Sequence, residues 1–369
     1  MTDVEVLVAG LGVHGSAAAY EVARRGVDVL GLEQFGEGHS RGSSYGRTRM
    51  IRRAYPNPVW NPFVERAFDG WARWSAASGE ELLHRTGGLY TFRESTTMQG
   101  PGCRLVEDHA EMARLMPGFQ PPSGYRAVHD PSAGVLEAAR GLEVARAGAR
   151  AAGAELVFGE TVLSWRQEGE RCIVTTDQRE ITCRKLVLSA GAWAGHLVPE
   201  LAHLFEVWRI VTVTLAPGQE PGQVPQLGCF SVDRPEGLVF GIPDADGNGF
   251  KAGVDLGPVW DPTVPATPPT ADEIAGLTGL MQQYVPGIRA EVVEAVACLY
   301  TMTADRRFVL GPLPWAPAVT VAAACSGHGF KFGPALGEAV ADLVQERPRP
   351  ELDFIGVQRR LTTQQEDQT

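Results

Sequence analysis

Residues 4–33 constrain the fold more than any other stretch of this chain. Val4, Val6, Leu7, Val8 and Ala9 form an apolar run with one polar interruption, the pattern of a buried strand. Gly10-Leu11-Gly12-Val13-His14-Gly15 follows. Ser16 to Arg25 then reads as a helix closed by Gly26, and Val27 to Leu32 as a second strand ending at Glu33. In a strand–helix–strand unit each glycine has a steric task. Gly10 permits the tight turn, Gly12 lets backbone N–H groups approach a pyrophosphate, and Gly15 lets helix and strand pack closely. The helix N-terminus favours phosphate charge, and Glu33 can accept from a ribose hydroxyl. The unit predicts dinucleotide binding but does not by itself separate FAD from NAD.

A chain of 369 residues that is 44% hydrophobic can bury a sizeable core and is long enough for two or three domains. The formal net charge of -11 argues against nucleic acid and anionic membrane as partners. No apolar run reaches the roughly 18 residues of a membrane span. The acidic start, Met1 to Glu5, lacks the basic region of a signal peptide, and Glu366-Asp367-Gln368-Thr369 is no peroxisomal signal. The expectation is a cytoplasmic protein. Cys103, Cys172, Cys183, Cys229, Cys298 and Cys325 form no C-x-x-C pair or zinc pattern, and free thiols with no metal are expected. Of 33 basic residues only Lys185, Lys251 and Lys331 are lysines. A lysine kept against so strong an arginine bias suggests chemistry that needs a compact ammonium with a movable pKa.

Gly36 to Arg53 is polar, glycine-rich and dense in arginine: Arg41, Arg47, Arg49, Arg52 and Arg53. In an acidic chain this reads as an anion-binding loop or a solvated basic one. Helices are expected at Asn61–Ala77, Leu142–Ala152, Ala271–Tyr284 and Pro334–Gln345. Strands are expected at Leu156–Trp165, Cys172–Thr176, Lys185–Ser189, Leu238–Ile242, Gly249–Val254, Val292–Tyr300 and Val319–Ala324. Pro217–Pro225 looks like a turn, Pro262–Pro269 like a loop, and Ser326-Gly327-His328-Gly329 like a turn before the last helix.

Four blocks carry a family resemblance: the first βαβ unit; Gly42-Ser43-Ser44-Tyr45-Gly46-Arg47-Thr48-Arg49-Met50-Ile51-Arg52; Ala297-Cys298-Leu299-Tyr300-Thr301; and Ser326-Gly327-His328-Gly329-Phe330-Lys331-Phe332. From about Val4 to Arg359 the chain resembles the D-amino-acid-oxidase-like flavoproteins, within them the monomeric sarcosine oxidase and N-methyltryptophan oxidase group. The resemblance implies an α/β fold, α+β overall. A Rossmann-like FAD-binding domain (residues 1–85, 137–205 and 300–369) would accompany a substrate domain on a mixed or antiparallel sheet (86–136 and 206–299). It implies FAD attached covalently through Cys298, with Cys325 structural, and a monomer acting on a small amine or amino acid with oxygen.

The same resemblance implies roles for single residues. Lys251 would promote oxygen reduction, since a fixed ammonium stabilises superoxide. Arg52 and Lys331 would bind the substrate carboxylate. Arg49 would lie over the flavin and stabilise its reduced anion, with Thr48 in the same network. Tyr300 would line the pocket and His328 would be a turn histidine close to the flavin. Further cofactor contacts would come from Gly10, Gly12, Val13, His14, Gly15, Glu33, Gln34, Ser40, Ser43, Ser44, Arg47, Val162, Ala190, Gly191, Trp193, Gly327, Gly329 and Phe330. The side chains of Arg47 and Arg53 read as surface cations.

Two positions depart from the group. Asp255 stands where sarcosine oxidases usually have a histidine four residues after the lysine, and Tyr45 where they have one three residues before Thr48. A carboxylate at 255 could take a substrate proton, hold a cationic nitrogen, or sit turned away and paired. The expected substrate is therefore a secondary or cyclic amino acid, proline- or pipecolate-like, with sarcosine as the simpler case. Competing expectations are an FAD amine dehydrogenase with another electron acceptor, an NAD-dependent dehydrogenase, and an inactive flavin-binding protein.

Overall fold

A computed structural model describes residues 2–216, 227–245, 247, 249–323 and 325–359. The expected turn at Pro217–Pro225 and the C-terminal tripeptide lie outside these residues. Among the described residues, strands form two eight-stranded sheets and one of three strands.

The first sheet is built on the N-terminal strand Thr2–Ala9, which pairs in parallel with Val29–Glu33 on one side and Glu180–Leu188 on the other. Glu155–Phe158 extends it beyond Val29–Glu33, again in parallel. The long strand Glu180–Leu188 changes partner along its length. Its first half pairs with Arg171–Thr176, and Leu186 to Leu188 pair with Ala316–Ala323. The residues expected to form one strand at Leu156–Trp165 form two, Glu155–Phe158 and Val162–Glu168, because the chain turns at Gly159 with φ +81°. Helices Val13–Ala23, Ala138–Ala151 and Gly333–Val344 pack together against this sheet. The crossing of the first and last helices is close: a Cβ on Gly337 would lie 2.6 Å from the Ala17 carbonyl oxygen. Trp71 and Trp74 of helix Asn61–Ser78 are fully buried in the same core.

The second sheet runs in the order Val292–Met302, Glu206–Leu215, Phe250–Val254, Val239–Ile242, Cys229–Val232, Gly88–Phe92, Arg126–Asp130, Arg104–Val106. All its pairings are antiparallel except Cys229–Val232 with Gly88–Phe92. Helix Ala271–Tyr284 begins with a capping box, Thr270 and Glu273, and packs Met281 and Tyr284 on this sheet. Glu273 also pairs with the buried Arg209 at 2.7 Å, locking the helix start to the strand below it. The strand Val292–Met302 is the last segment that the described chain contributes to this sheet. The small sheet Thr48–Ile51, Gly134–Glu137 and Leu83–Arg85 carries the arginine-dense loop toward the second sheet.

The steric case for Gly15 is the sharpest in the first unit. A Cβ there would lie 1.8 Å from the Gly10 carbonyl oxygen and 2.5 Å from Ser189 Oγ. Neither strand nor helix can yield cheaply, so Gly15→Ala should destabilise the protein by about 1–3 kcal/mol or more. Chemical denaturation checks this; a stability equal to the parent's would show that the crossing is looser than described.

Candidate active site

Two cavities adjoin where the sheets face each other. The larger, about 770 Å³, lies at the carboxyl ends of the first sheet's strands. Its walls include Gly10, Gly12, Val13, His14, Glu33, Gln34, Ser43, Ser44, Arg47, Val162, Ala190, Gly191 and Trp193, all expected cofactor contacts. The Val13 N–H donates to Ser44 Oγ at 2.9 Å, which ties the arginine-dense loop to the first helix. The Leu11 N–H donates to Glu33 Oε2 at 2.9 Å. Burial pushes the Glu33 carboxyl up, but the His39 ring and the N–H groups of Leu11 and Phe35 outweigh it and hold it below its ordinary value. Gly15 and Gly329 are buried packing positions outside the lining, and Ser40 is exposed. Arg41, Arg146, Thr301 and Cys325 also line this cavity, so Cys325, expected to be structural, has a face on it.

The smaller cavity, about 130 Å³, is walled by the second sheet and the last glycine-rich turn. It collects Arg49, Arg52, Lys251, Asp255, Cys298, Tyr300, Gly327, His328 and Lys331. Alternation along Val292–Met302 sends Glu294, Val296, Cys298 and Tyr300 to one face, and all four line it. Tyr45, Gly46, Glu294 and Phe330 line both cavities and mark the junction.

The cations are held by groups that do not cancel their charge. Arg49 donates to the carbonyls of Thr48, Ser43 and Tyr45 at 2.8, 2.8 and 2.6 Å, and its guanidinium lies 5.1 Å from the centre of the Phe330 ring. Thr48 thus enters through its carbonyl, while its side chain is buried. Arg52 stands over the rings of Tyr90 and Tyr55 at 4.9 and 5.2 Å. The buried Asp130 accepts from the Arg53 and Ala54 N–H groups at 2.5 and 3.1 Å and so fixes the backbone just after Arg52. Arg53 is not a surface cation: it is half-buried and grips Glu65 through two bonds of 2.5 and 2.7 Å, with a third to Ser132. Arg47 is exposed.

Lys331 is buried and donates to the His328 carbonyl at 2.8 Å and to Tyr55 Oη at 3.1 Å. Burial, and then Arg52, push its ammonium well below the ordinary lysine range. His328 Nε2 lies 2.9 Å from the Arg306 carbonyl, which can only accept, so Nε2 carries the hydrogen and Nδ1 accepts from Tyr55 at 3.2 Å. Burial pushes His328 down to about 3, so the ring is neutral and cannot serve as an acid. His328 and Lys331 thus meet at the Tyr55 hydroxyl, which donates to the ring and accepts from the ammonium. Tyr55 was not among the expected residues, and nothing in its sequence context marks it.

Lys251 lies on the strand Phe250–Val254. Burial and the Arg49 charge push it down to about 7. The accessible surface it retains faces the cavity. The third lysine, Lys185, lies on the strand Glu180–Leu188 and pairs with Glu346 at 2.9 Å. Two of the three lysines therefore face one chamber. Cys298 stands there too, its thiol pushed up by burial against the pull of Lys251 and Arg49.

Asp255 lines the chamber, but its Oδ2 accepts from Arg306 at 3.1 Å and its Oδ1 is buried without a hydrogen bond beside Gly327 and Tyr300. The outcome lies between the alternatives: in the pocket and paired. Burial pushes this carboxyl up to about 6, against Arg306 and Arg52. A folded-state pKa above the unfolded value stabilises at low pH, and that share is lost as pH rises through 6. Relative to Asp255→Asn, the parent should therefore lose on the order of 1 kcal/mol between pH 5 and pH 8. Unfolding of both proteins at the two pH values checks this, and a constant difference would contradict it.

The family model described as FAD dependent oxidoreductase (DAO) matches residues 5–343. The chain is 32% identical to a monomeric sarcosine oxidase of Streptomyces avermitilis, covering 92% of this chain and 93% of that protein. It is 27% identical to an N-methyl-L-tryptophan oxidase of Yersinia pestis, covering 94% of this chain and 96% of that one. Among solved structures, NikD, described as an unusual amino acid oxidase essential for nikkomycin biosynthesis, superposes with a TM-score of 0.83 at 23% identity, covering 96% of this chain and 98% of that one. The likeness to NikD concerns the fold alone.

Proposed function

The chain belongs to the FAD dependent oxidoreductase family, and on that premise we propose that it oxidises the C–N bond of a small secondary or cyclic amino acid, with oxygen as the electron acceptor. The observation that carries this reading is the pair Arg52 and Lys331, two cations on the wall of a small chamber that opens onto a cavity of dinucleotide size. A guanidinium and an ammonium at one site suit a carboxylate. The chamber's volume, about 130 Å³, supports a small substrate over an indole-bearing one.

The residues present fit FAD. A Cβ on Gly12 would crowd Ser44 Oγ at 3.0 Å, so glycine keeps the backbone at the helix start open, and the first turn of that helix carries no acidic residue to repel a phosphate. Gly10, Gly12, Val13 and Ser44 would hold the pyrophosphate, Glu33 the ribose, and Cys298 would form the covalent link. The flavin supplies the hydride-accepting chemistry when bound. Arg52 and Lys331 hold the substrate carboxylate and so set which C–H bond faces the cofactor. Arg49 places a fixed positive charge at the junction, and Lys251 places an ammonium where oxygen would be reduced. Tyr300 and Phe330 exclude water with aromatic surface. The substrate nitrogen must be neutral to release a hydride from the adjacent carbon, and Asp255 is the one carboxylate beside Arg52 and Lys331 among the described lining residues. The products would be an imine and hydrogen peroxide. The reading takes the enzyme to work as a single chain in the cytoplasm; the word "monomeric" in the names of its sarcosine-oxidizing relatives supports the first part.

Two stages of one experiment test this. L-proline, L-pipecolate and sarcosine are mixed separately with the protein without oxygen, and flavin absorbance is followed. Bleaching by at least one of them is expected, by a cyclic acid if Asp255 and Tyr45 reshape the pocket. Oxygen is then admitted. Reoxidation should be at least a hundredfold slower in Lys251→Met, the scale of losing about 3 kcal/mol of preorganised charge. No bleaching by any of the three would remove the substrate class, and equal reoxidation would favour another electron acceptor.

A further inference from the structure

Glu294 is on no motif, yet it stands at the junction of the two cavities. Its position follows from strand register. Thr214 pairs with Lys251 on one side and with Glu294 on the other. Directly paired residues point to the same face of a sheet. Lys251, Thr214 and Glu294 therefore form one row across three adjacent strands, and its two ends, Lys251 and Glu294, line the chamber. Two strand spacings separate the ends of the row by about 10 Å at Cα, close enough for the two side-chain charges to act on each other across the row without direct contact. From the other side, the Tyr45 hydroxyl donates to Glu294 Oε1 at 3.2 Å and holds the carboxylate in place.

We propose that Glu294 is the counter-ion that keeps Lys251 protonated in the working enzyme, with Tyr45 as the residue that positions it. The proposal rests on Lys251 being the oxygen-reducing cation. The groups facing Lys251 divide by sign. Arg49, from the strand Thr48–Ile51, opposes its charge; a Cβ on Gly46 would lie 3.3 Å from both the Lys251 and the Arg49 nitrogen atoms. Cys298 and Glu294, from the strand Val292–Met302, favour it. Thr214 and Ile242, the register partners on the flanking strands, are uncharged. Asp255, Arg52 and Lys331 also line the chamber. A Cys298 sulfur joined to the cofactor as a thioether has no hydrogen left to lose, and Glu294 is then the negative group that remains. Burial alone pushes Lys251 toward its neutral form, which attracts no electron to oxygen. With its ammonium poised at about 7, even a modest opposing charge decides which form prevails at neutral pH.

The test reads the lysine directly. With only three lysines in the chain, protein labelled with carbon-13 at the lysine ε position gives three titrating signals, and Lys251→Met identifies the one that matters. In Glu294→Gln the Lys251 midpoint should fall by about one pH unit or more, and in Glu294→Asp, which keeps the charge, it should return most of the way. Tyr45→Phe, which leaves the carboxylate but frees it, should give a smaller fall. A second readout is the rate at which dithionite-reduced protein reacts with oxygen: its pH profile should move to lower pH by the same amount in Glu294→Gln. An unchanged Lys251 midpoint in Glu294→Gln, with the protein folded by circular dichroism, overturns the proposal. So does a fall that Glu294→Asp does not reverse. Should Glu294→Gln fail to fold, the Tyr45→Phe and Glu294→Asp midpoints decide it alone. If Lys251 titrates as described but Lys251→Met reoxidises normally, the oxygen role fails while the charge coupling between Glu294 and Lys251 stands.

Discussion

Arg49, Arg52, Lys251 and Lys331 bring four positive charges to the walls of one small chamber, and enclosed like charges repel. The repulsion is visible in the two lysines, each pushed down first by burial and then by its neighbouring arginine. Arg49 and Lys331 are bound chiefly to carbonyls and a hydroxyl, which steady them without neutralising them. Such a site suits an anion that comes and goes, which under the proposed function would be a substrate carboxylate at one end and electron density on the cofactor or oxygen at the other. Elsewhere the chain pairs its arginines freely, as at Arg53 with Glu65 and Arg209 with Glu273. Among the described contacts, Arg49, Arg52 and Lys331 differ in having no carboxylate bonded to them, and that contrast separates scaffold from site.

The scaffold exists to make that chamber. The parallel sheet with its buried helices presents strand ends and a helix N-terminus, suited to a pyrophosphate. The second sheet presents a face on which alternate residues of Val292–Met302 and Phe250–Val254 point one way. Neither sheet alone supplies both a nucleotide cradle and a cationic wall. The small sheet through Thr48–Ile51 bridges them and sets Arg49 and Arg52 at the join.

Much of this was legible in the sequence where one residue has one steric reason. The first βαβ unit was readable because each glycine answers a specific close approach, and helix Ala271–Tyr284 has the bounds its pattern suggested, with a capping box as a local signal at its start. Strands such as Gly88–Phe92, buried along their whole length, showed no alternation to find. Arg53 looked like a surface cation because its partner, Glu65, lies outside the loop, in the helix Asn61–Ser78. The rarity of lysine pointed to Lys251 and Lys331, but the same reasoning could not find Tyr55 or Glu294. Their importance arises from register and from a tyrosine–histidine chain that only folding assembles.

The central claim is that the cationic chamber binds a carboxylate beside the flavin. Tetrahydrofuran-2-carboxylate, the oxygen analogue of proline, has the carboxylate and ring but no amine to oxidise. Titrated into the oxidised protein, it should perturb the flavin spectrum saturably, and the perturbation should be lost or need at least a hundredfold more ligand in Lys331→Met, the cost of about 3 kcal/mol expected when one charge of a buried pair is removed. Equal affinity in the parent and in Lys331→Met, both folded and both carrying flavin, would contradict the account.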